Sequence, residues 1–237
     1  MAREAVGSDN TRIAAGIVIG FGGLALSVAF MVYLHVAAGG GLRSTMSEYI
    51  FVDGVGWMFG ASAVCMAIGA LGALIGLSDT GLLSGNGSRS AAWSQPEPSS
   101  RPARGTGLLR LGLWLVPTGF VLVALFPTNS AGPLSLSAEI HRYAAGVGFT
   151  GPPVAAYLVA RRLARPELAR YRLWLLRGAG VTAGALVVFL ISHFGTLPEF
   201  MQDLRGPTQR LLLVLVLLVL GQLIYLPARC AERARGE

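Results

Sequence analysis

The chain has 237 residues, 53% of them apolar and only 13% charged, and its mean hydropathy is +0.60. Its apolar residues gather into long uninterrupted blocks, which excludes a soluble globular domain, and the runs are continuous instead of short and alternating, which excludes a transmembrane β-barrel. The net charge of +7 comes entirely from arginine, since the chain has no lysine; with no soluble basic domain to carry it, that charge reports membrane topology and not nucleic-acid binding.

A hydrocarbon core roughly 30 Å thick needs about 20 helical residues to cross it, and six segments qualify. The first, 13–38, holds no charge between Arg12 and Arg43 and ends near His35. It exceeds the 7–15 apolar residues of a signal peptide, so it reads as an uncleaved first helix. A loop with Glu48 and Asp53 leads to the second segment, 55–77. The stretch 78–107, rich in Ser, Gly, Pro, Asn and Arg, buries too little apolar surface to order itself and is expected to be a flexible cytoplasmic loop within one membrane domain, 1–237.

The third segment, 111–126, contains Pro117. The fourth, 139–160, opens with Glu139, His141 and Arg142, has Ser135 or Ser137 as its expected cap, and contains Gly151, Pro152 and Pro153. Proline in a helix interior removes a backbone donor and predicts a static kink or, alternatively, a hinge lining a cavity. The fifth, 173–194, ends near His193. In the sixth, 211–227, Leu211 to Leu220 are all Leu or Val, which predicts a helix turning much of its surface to lipid, with Gln222 its single polar interior residue.

The arginines set the orientation. With both termini in the cytoplasm, fifteen fall inside: Arg3, Arg12, Arg89, Arg101, Arg104, Arg110, Arg161, Arg162, Arg165, Arg170, Arg172, Arg177, Arg229, Arg233 and Arg235. Four fall outside: Arg43, Arg142, Arg205 and Arg210. The expected fold is therefore all-α, a polytopic bundle of six transmembrane helices with N- and C-termini cytoplasmic. Four glycine pairs at four-residue spacing, Gly16 with Gly20, Gly56 with Gly60, Gly72 with Gly76, and Gly180 with Gly184, suit close helix contact in lipid. Cys65 and Cys230 lie at different depths, so neither a disulfide nor a metal knuckle is expected of them.

Candidate chemistry collects at the outer ends of the helices. His35, His141 and His193 all fall there, with Glu48, Asp53, Glu139, Glu199 and Asp203 in the adjoining loops. Three imidazoles with carboxylates are the material of a zinc site or of acid–base chemistry; no cofactor is called for otherwise, and an interfacial role accounts for the same placement. Glu139, His141, Arg142 and Asp53 are the candidate catalytic residues, and His35, His141 and His193 the candidate metal ligands. Glu139 and Arg142, three apart, can pair on one face and suit the positive end of the helix dipole. On the inner side, Arg161, Arg162, Arg165, Arg170 and Arg172 form a cluster suited to anionic lipid head groups, besides setting topology.

The run Phe126-Pro127-Thr128-Asn129, followed by Glu139-Ile140-His141-Arg142-Tyr143-Ala144-Ala145, resembles the bacterial six-helix membrane family catalogued as domain of unknown function 998. The family pattern has Phe-Pro-Thr-Asp where this chain has Asn129, while His141 matches its histidine. Asparagine keeps the capacity for a hydrogen bond or a turn but not the charge. The resemblance implies six helices and a plasma-membrane location, and brings no established reaction. Three functional readings follow: a non-enzymatic accessory protein binding a lipid or a partner protein, a membrane-embedded metal-dependent hydrolase with its His/carboxylate site on the outer face, and a small-solute transporter or channel for which the proline-bearing fourth helix is the only hint.

Overall fold

A computed structural model describes residues 2–39, 45–80, 83, 106–129, 133–163, 165–194 and 204–235, with backbone alone for helical residues 2–10, 79, 106, 193, 194 and 233–235. The expected loop 78–107 falls largely outside the described residues, as do Arg43, Glu199, Asp203 and the side chain of His193. Among the described residues the chain is all-helical. Those residues form six α-helices, α1 (Ala2–Ala37), α2 (Trp57–Asp79), α3 (Thr106–Leu125), α4 (Leu136–Arg162), α5 (Ala169–Phe194) and α6 (Arg205–Arg235), with 3-10 segments at Met46–Phe51 and Pro166–Leu168.

Each helix packs on the next, α6 returns to touch α1, α2 and α4 as well as α5, and consecutive helices run in opposite directions. One end of the bundle therefore holds His35, His141 and residue 193, and the other holds Arg161 to Arg172; we call them the histidine end and the arginine end. α1 stops at Gly39, whose φ of +78° is the left-handed conformation that glycine adopts without a Cβ penalty, and Gly39 N–H donates back to the Val36 carbonyl.

Five of the helices are long and apolar enough to cross a membrane: α1, α2, α3, α5 and α6. α4 is as long as these, 27 residues or about 40 Å, but its composition is less apolar. The reason lies in its surroundings. α4 sits between α3 and α5 and against α6, and buries Ala144, Gly148, Gly151, Ala155, Ala156 and Ala160 against them. Small residues allow close approach in lipid yet add little hydropathy. Pro152 and Pro153 are buried in this helix, which continues unbroken past them. Gly151 faces Val116 of α3, where an added Cβ would lie 2.5 Å from that side chain.

α6 corrects one expectation: it does not end at Pro227 but continues to Arg235, with the proline ring seated on Gly76 of α2. It is two-sided: Leu212, Val216, Leu220, Leu223 and Ile224 are 0–1% exposed, while Leu211, Val214, Leu218 and Tyr225 lie on the outward face. A helix of nothing but Leu and Val carries no periodic signal, so its buried face was invisible in sequence.

The α1–α2 seam is built on glycine. Gly16 faces the Gly72 carbonyl and Gly76 N–H, Gly23 faces Gly69, and Gly72 faces the Gly20 backbone, so main chains meet with no side chain between them. Toward the histidine end, Ser27 and Ser62 hydrogen-bond across the same seam at 2.8 Å, both buried. In lipid, where apolar surface gains nothing by leaving its solvent, contact of this kind is what holds helices together.

Candidate functional site

The turn from α3 into α4 is tied by the residues of the Phe-Pro-Thr-Asn and Glu-Ile-His runs. Asn129 Nδ2 donates to the Pro133 carbonyl at 2.7 Å, and its Oδ1 accepts from Ser135 Oγ at 2.9 Å. Ser135 is the N-cap of α4, accepting from Ala138 N–H at 3.2 Å, while Ser137 donates to the Pro127 carbonyl. His141 closes the junction: its Nδ1–H donates to the Phe126 carbonyl at 2.8 Å, and its ring stacks on Phe59 of α2 with centroids 6.0 Å apart. That carbonyl lies one residue past the end of α3, where helix geometry supplies no partner. Asn129 thus keeps the hydrogen-bonding role that its side chain allows without a charge.

His141, 7% exposed, also lines a cavity of about 60 Å³ at the histidine end. Its walls are mostly apolar, with Met31, Met66, Phe120, Phe149 and Leu213, and its polar groups are His141, Ser27, Ser47, Ser62 and Gln209. That volume holds a few water molecules or the tip of an apolar chain. Ser62 spends its hydroxyl on Ser27 and His141 its Nδ1–H on the Phe126 carbonyl, which leaves Nε2 as the accepting nitrogen of the imidazole.

His35 belongs to a different cluster. The 3-10 segment Met46–Phe51 is held to α6 by Met46 N–H donating to Gln209 Oε1 at 2.8 Å. The Tyr49 phenol, 1% exposed, lies between His35 Nδ1 at 2.7 Å and Arg210 Nη2 at 3.3 Å. Arg210 donates to the phenol oxygen, leaving the phenol proton for the imidazole. The three side chains lock the segment to α1 and α6. Tyr49→Phe is expected to cost about 1–2 kcal/mol, because two half-buried polar groups lose a shared partner, and so to lower the thermal midpoint in detergent by roughly 2–8 °C; an unchanged midpoint would show that the lock carries no stability.

The other predicted site residues take separate positions. Asp53 and Glu139 are exposed, Arg142 is half-buried, and none of them lines the cavity that His141 lines. Glu139 and His141 are two residues apart, about 200° around a helix, so they point to opposite sides of α4. The described residues contain no group of three His, Cys, Asp or Glu able to hold a metal. Tyr49 and Gln209 were missed in the sequence, where an aromatic residue in a short loop and a glutamine at a helix start carry no distinctive spacing.

At the arginine end, Arg161 and Arg162 close α4, Arg165 lies in the turn, and Arg170 and Arg172 open α5. Arg161, Arg170 and Arg172 are exposed. Arg161 lies over the Tyr157 ring at 6.0 Å and Arg170 over Trp174 at 5.7 Å, so aromatic rings and guanidinium groups share one level of the bundle.

No curated protein and no solved structure matches the chain. A family profile does match, over residues 91–224, a range that takes in α3, α4, α5, most of α6 and the tied α3–α4 junction. With more than half of its length so matched, this integral membrane protein of apolar helices belongs to the family described as Protein of unknown function (DUF998).

Proposed function

We propose that this chain is a six-span protein of the bacterial plasma membrane, with both termini in the cytoplasm, and that it acts as a non-enzymatic accessory protein by holding anionic lipid at its arginine end. α4 is the sixth span in this reading: it is long enough, and its lower hydropathy comes from the small Ala and Gly residues and the prolines that it packs against its neighbours. The observation that carries the proposal is the collar of Arg161, Arg162, Arg165, Arg170 and Arg172 around the α4–α5 turn, interleaved with Tyr157 and Trp174. Aromatic rings favour the membrane interface, and each basic residue beside an anionic surface contributes about 1 kcal/mol.

The test is lipid retention. The purified protein is expected to keep anionic phospholipid in preference to zwitterionic phospholipid, and replacing Arg161, Arg170 and Arg172 by glutamine should weaken that preference by about 100-fold, three residues at about 1 kcal/mol each being tempered by salt. Equal retention of both lipid classes by the unaltered protein would refute the proposal. The competing proposal, a zinc-dependent hydrolase using His35, His141 and His193 with Glu139 or Asp53 as base, is separated by elemental analysis. Zinc at one per chain, lost in His141→Ala, would favour it.

A further inference from the structure

On its outer side, the α5–α6 pair leaves a groove of about 320 Å³, walled by Val181, Leu215, Leu218 and Val219. Val181 and Leu218 are each 59% exposed, so the groove opens sideways from the bundle. Two polar groups interrupt its apolar lining. Thr182 is fully buried and its Oγ1 has no hydrogen-bond partner, although a helical threonine commonly bonds the carbonyl four residues back. Gln222 Oε1 is likewise buried and unpartnered, and its carboxamide lies against Gly178, where a side chain would come within 2.9 Å of it. Polar atoms left unpaired among hydrocarbon are costly, so a partner that enters the groove and satisfies them is favoured.

Arg177 and Trp174 stand at one mouth of the groove, with Arg170 over the Trp174 ring. The order along it is therefore cation, then hydrogen-bonding groups, then hydrocarbon. Arg177 and Thr182 are five residues apart, about 7–8 Å along the helix, and the side chain of Arg177 leans toward the N-terminus of α5, the arginine end. This sequence of chemistries matches the phosphate, ester and acyl regions of a glycerophospholipid. A second copy of the chain would bring its own arginines to Arg177 and meet like charge.

Resting on the lipid-binding reading above, we propose that the α5–α6 groove seats one anionic glycerophospholipid of the leaflet at the arginine end. Its phosphate sits on Arg177 beside Arg170, its ester oxygens accept from the Thr182 hydroxyl and the Gln222 carboxamide, and one acyl chain lies along Val181, Leu215 and Leu218. The carboxamide turns over about its last torsion to present its NH₂ group, since its two ends are nearly equal in shape.

The experiment uses the full chain in membranes of phosphatidylcholine with a minor fraction of phosphatidylglycerol, followed by graded detergent washing and native mass spectrometry. The unaltered protein is expected to retain one phosphatidylglycerol per chain after the other lipids are gone, with inorganic phosphate at millimolar concentration failing to displace it. The double variant Thr182→Val with Gln222→Leu, which swaps polar atoms for apolar ones of similar size, should hold that last lipid about tenfold more weakly, from two lost hydrogen bonds. Its thermal midpoint in fully delipidated detergent should not fall. Leu108→Ala with Leu111→Ala, exposed on α3 and outside both the groove and the arginine collar, should leave the last lipid in place. Retention by the groove variant equal to that of the unaltered protein would overturn the seat while leaving the collar reading intact, and release by free phosphate would overturn the lipid as its occupant. Loss of a dimer in the groove variant would assign the groove to a second copy instead, and absence of any preferred anionic lipid in the unaltered protein would remove both proposals.

Discussion

Gly72→Leu is expected to yield no detergent-stable protein, or one melting at least 6–12 °C below the unaltered chain. A Cβ at Gly72 would lie 2.4 Å from both the N and Cα of Gly20 and 2.6 Å from the Gly16 carbonyl oxygen. All three are backbone atoms, which cannot turn aside as a side-chain tip can. The helices must part instead, and the Ser27–Ser62 bond opens with them. Overpacking costs about 1–3 kcal/mol where side chains can adjust and more where they cannot, and in a chain of this size each kcal/mol is worth about 2–4 °C. Gly180→Leu and Gly184→Leu supply the contrast, since a Cβ at either meets nothing within 4 Å. Thermal unfolding in one detergent, read for all three variants, checks this; if Gly72→Leu melts with the unaltered protein, the close seam is wrong.

His141→Ala should also have a large effect, about 3–5 kcal/mol. Removing the ring strands the half-buried Phe126 carbonyl, at about 1–3 kcal/mol, and empties the space beside Phe59, adding the cavity cost of a large-to-small change. Asn129→Asp, which restores the family residue, should cost less: the oxygens still accept from Ser135, and the 2.7 Å contact with the Pro133 carbonyl, now acceptor against acceptor, opens at an exposed turn. The readout that separates a tie from a metal ligand is the thermal midpoint with and without a strong chelator. A tie leaves the unaltered protein insensitive to chelation and lowers the His141→Ala midpoint in both conditions. A midpoint that falls on chelation in the unaltered protein alone would identify His141 as a ligand.

The spans were legible because length and hydropathy are local quantities. The apolar blocks around 55–77 and 173–194 became α2 and α5 with ends displaced by only a few residues at most boundaries. Partnership between helices was not legible. Four glycine pairs looked alike in sequence, yet Gly16, Gly20, Gly72 and Gly76 all meet neighbouring helices while Gly180 and Gly184 face open space. Which side of a helix is covered depends on neighbours distant in the chain, and α6, uniform in composition, gave no hint of its own.

The candidate site was half legible for a related reason. Its histidines do lie at one end of the bundle, because helix ends follow from spans. Reading Glu139, His141 and Arg142 together, however, treated adjacency in sequence as adjacency in space, and about half a turn of helix separates Glu139 outward from His141 inward. The Asn129 and Ser135 roles were readable, since a turn followed by an N-cap is itself local. Tyr49 was not, because its partners His35 and Arg210 come from opposite parts of the chain.

The glycine contacts between α1 and α2 also act as a vernier. Gly16, Gly20 and Gly23 mark positions along α1 that must coincide with Gly69, Gly72 and Gly76 along α2. Inserting a single residue midway through either helix would swing every later mark by about 100° and set side chains where bare backbone belongs. The outward residues of α1 can therefore be exchanged over evolutionary time with little consequence, whereas its length between these marks is fixed.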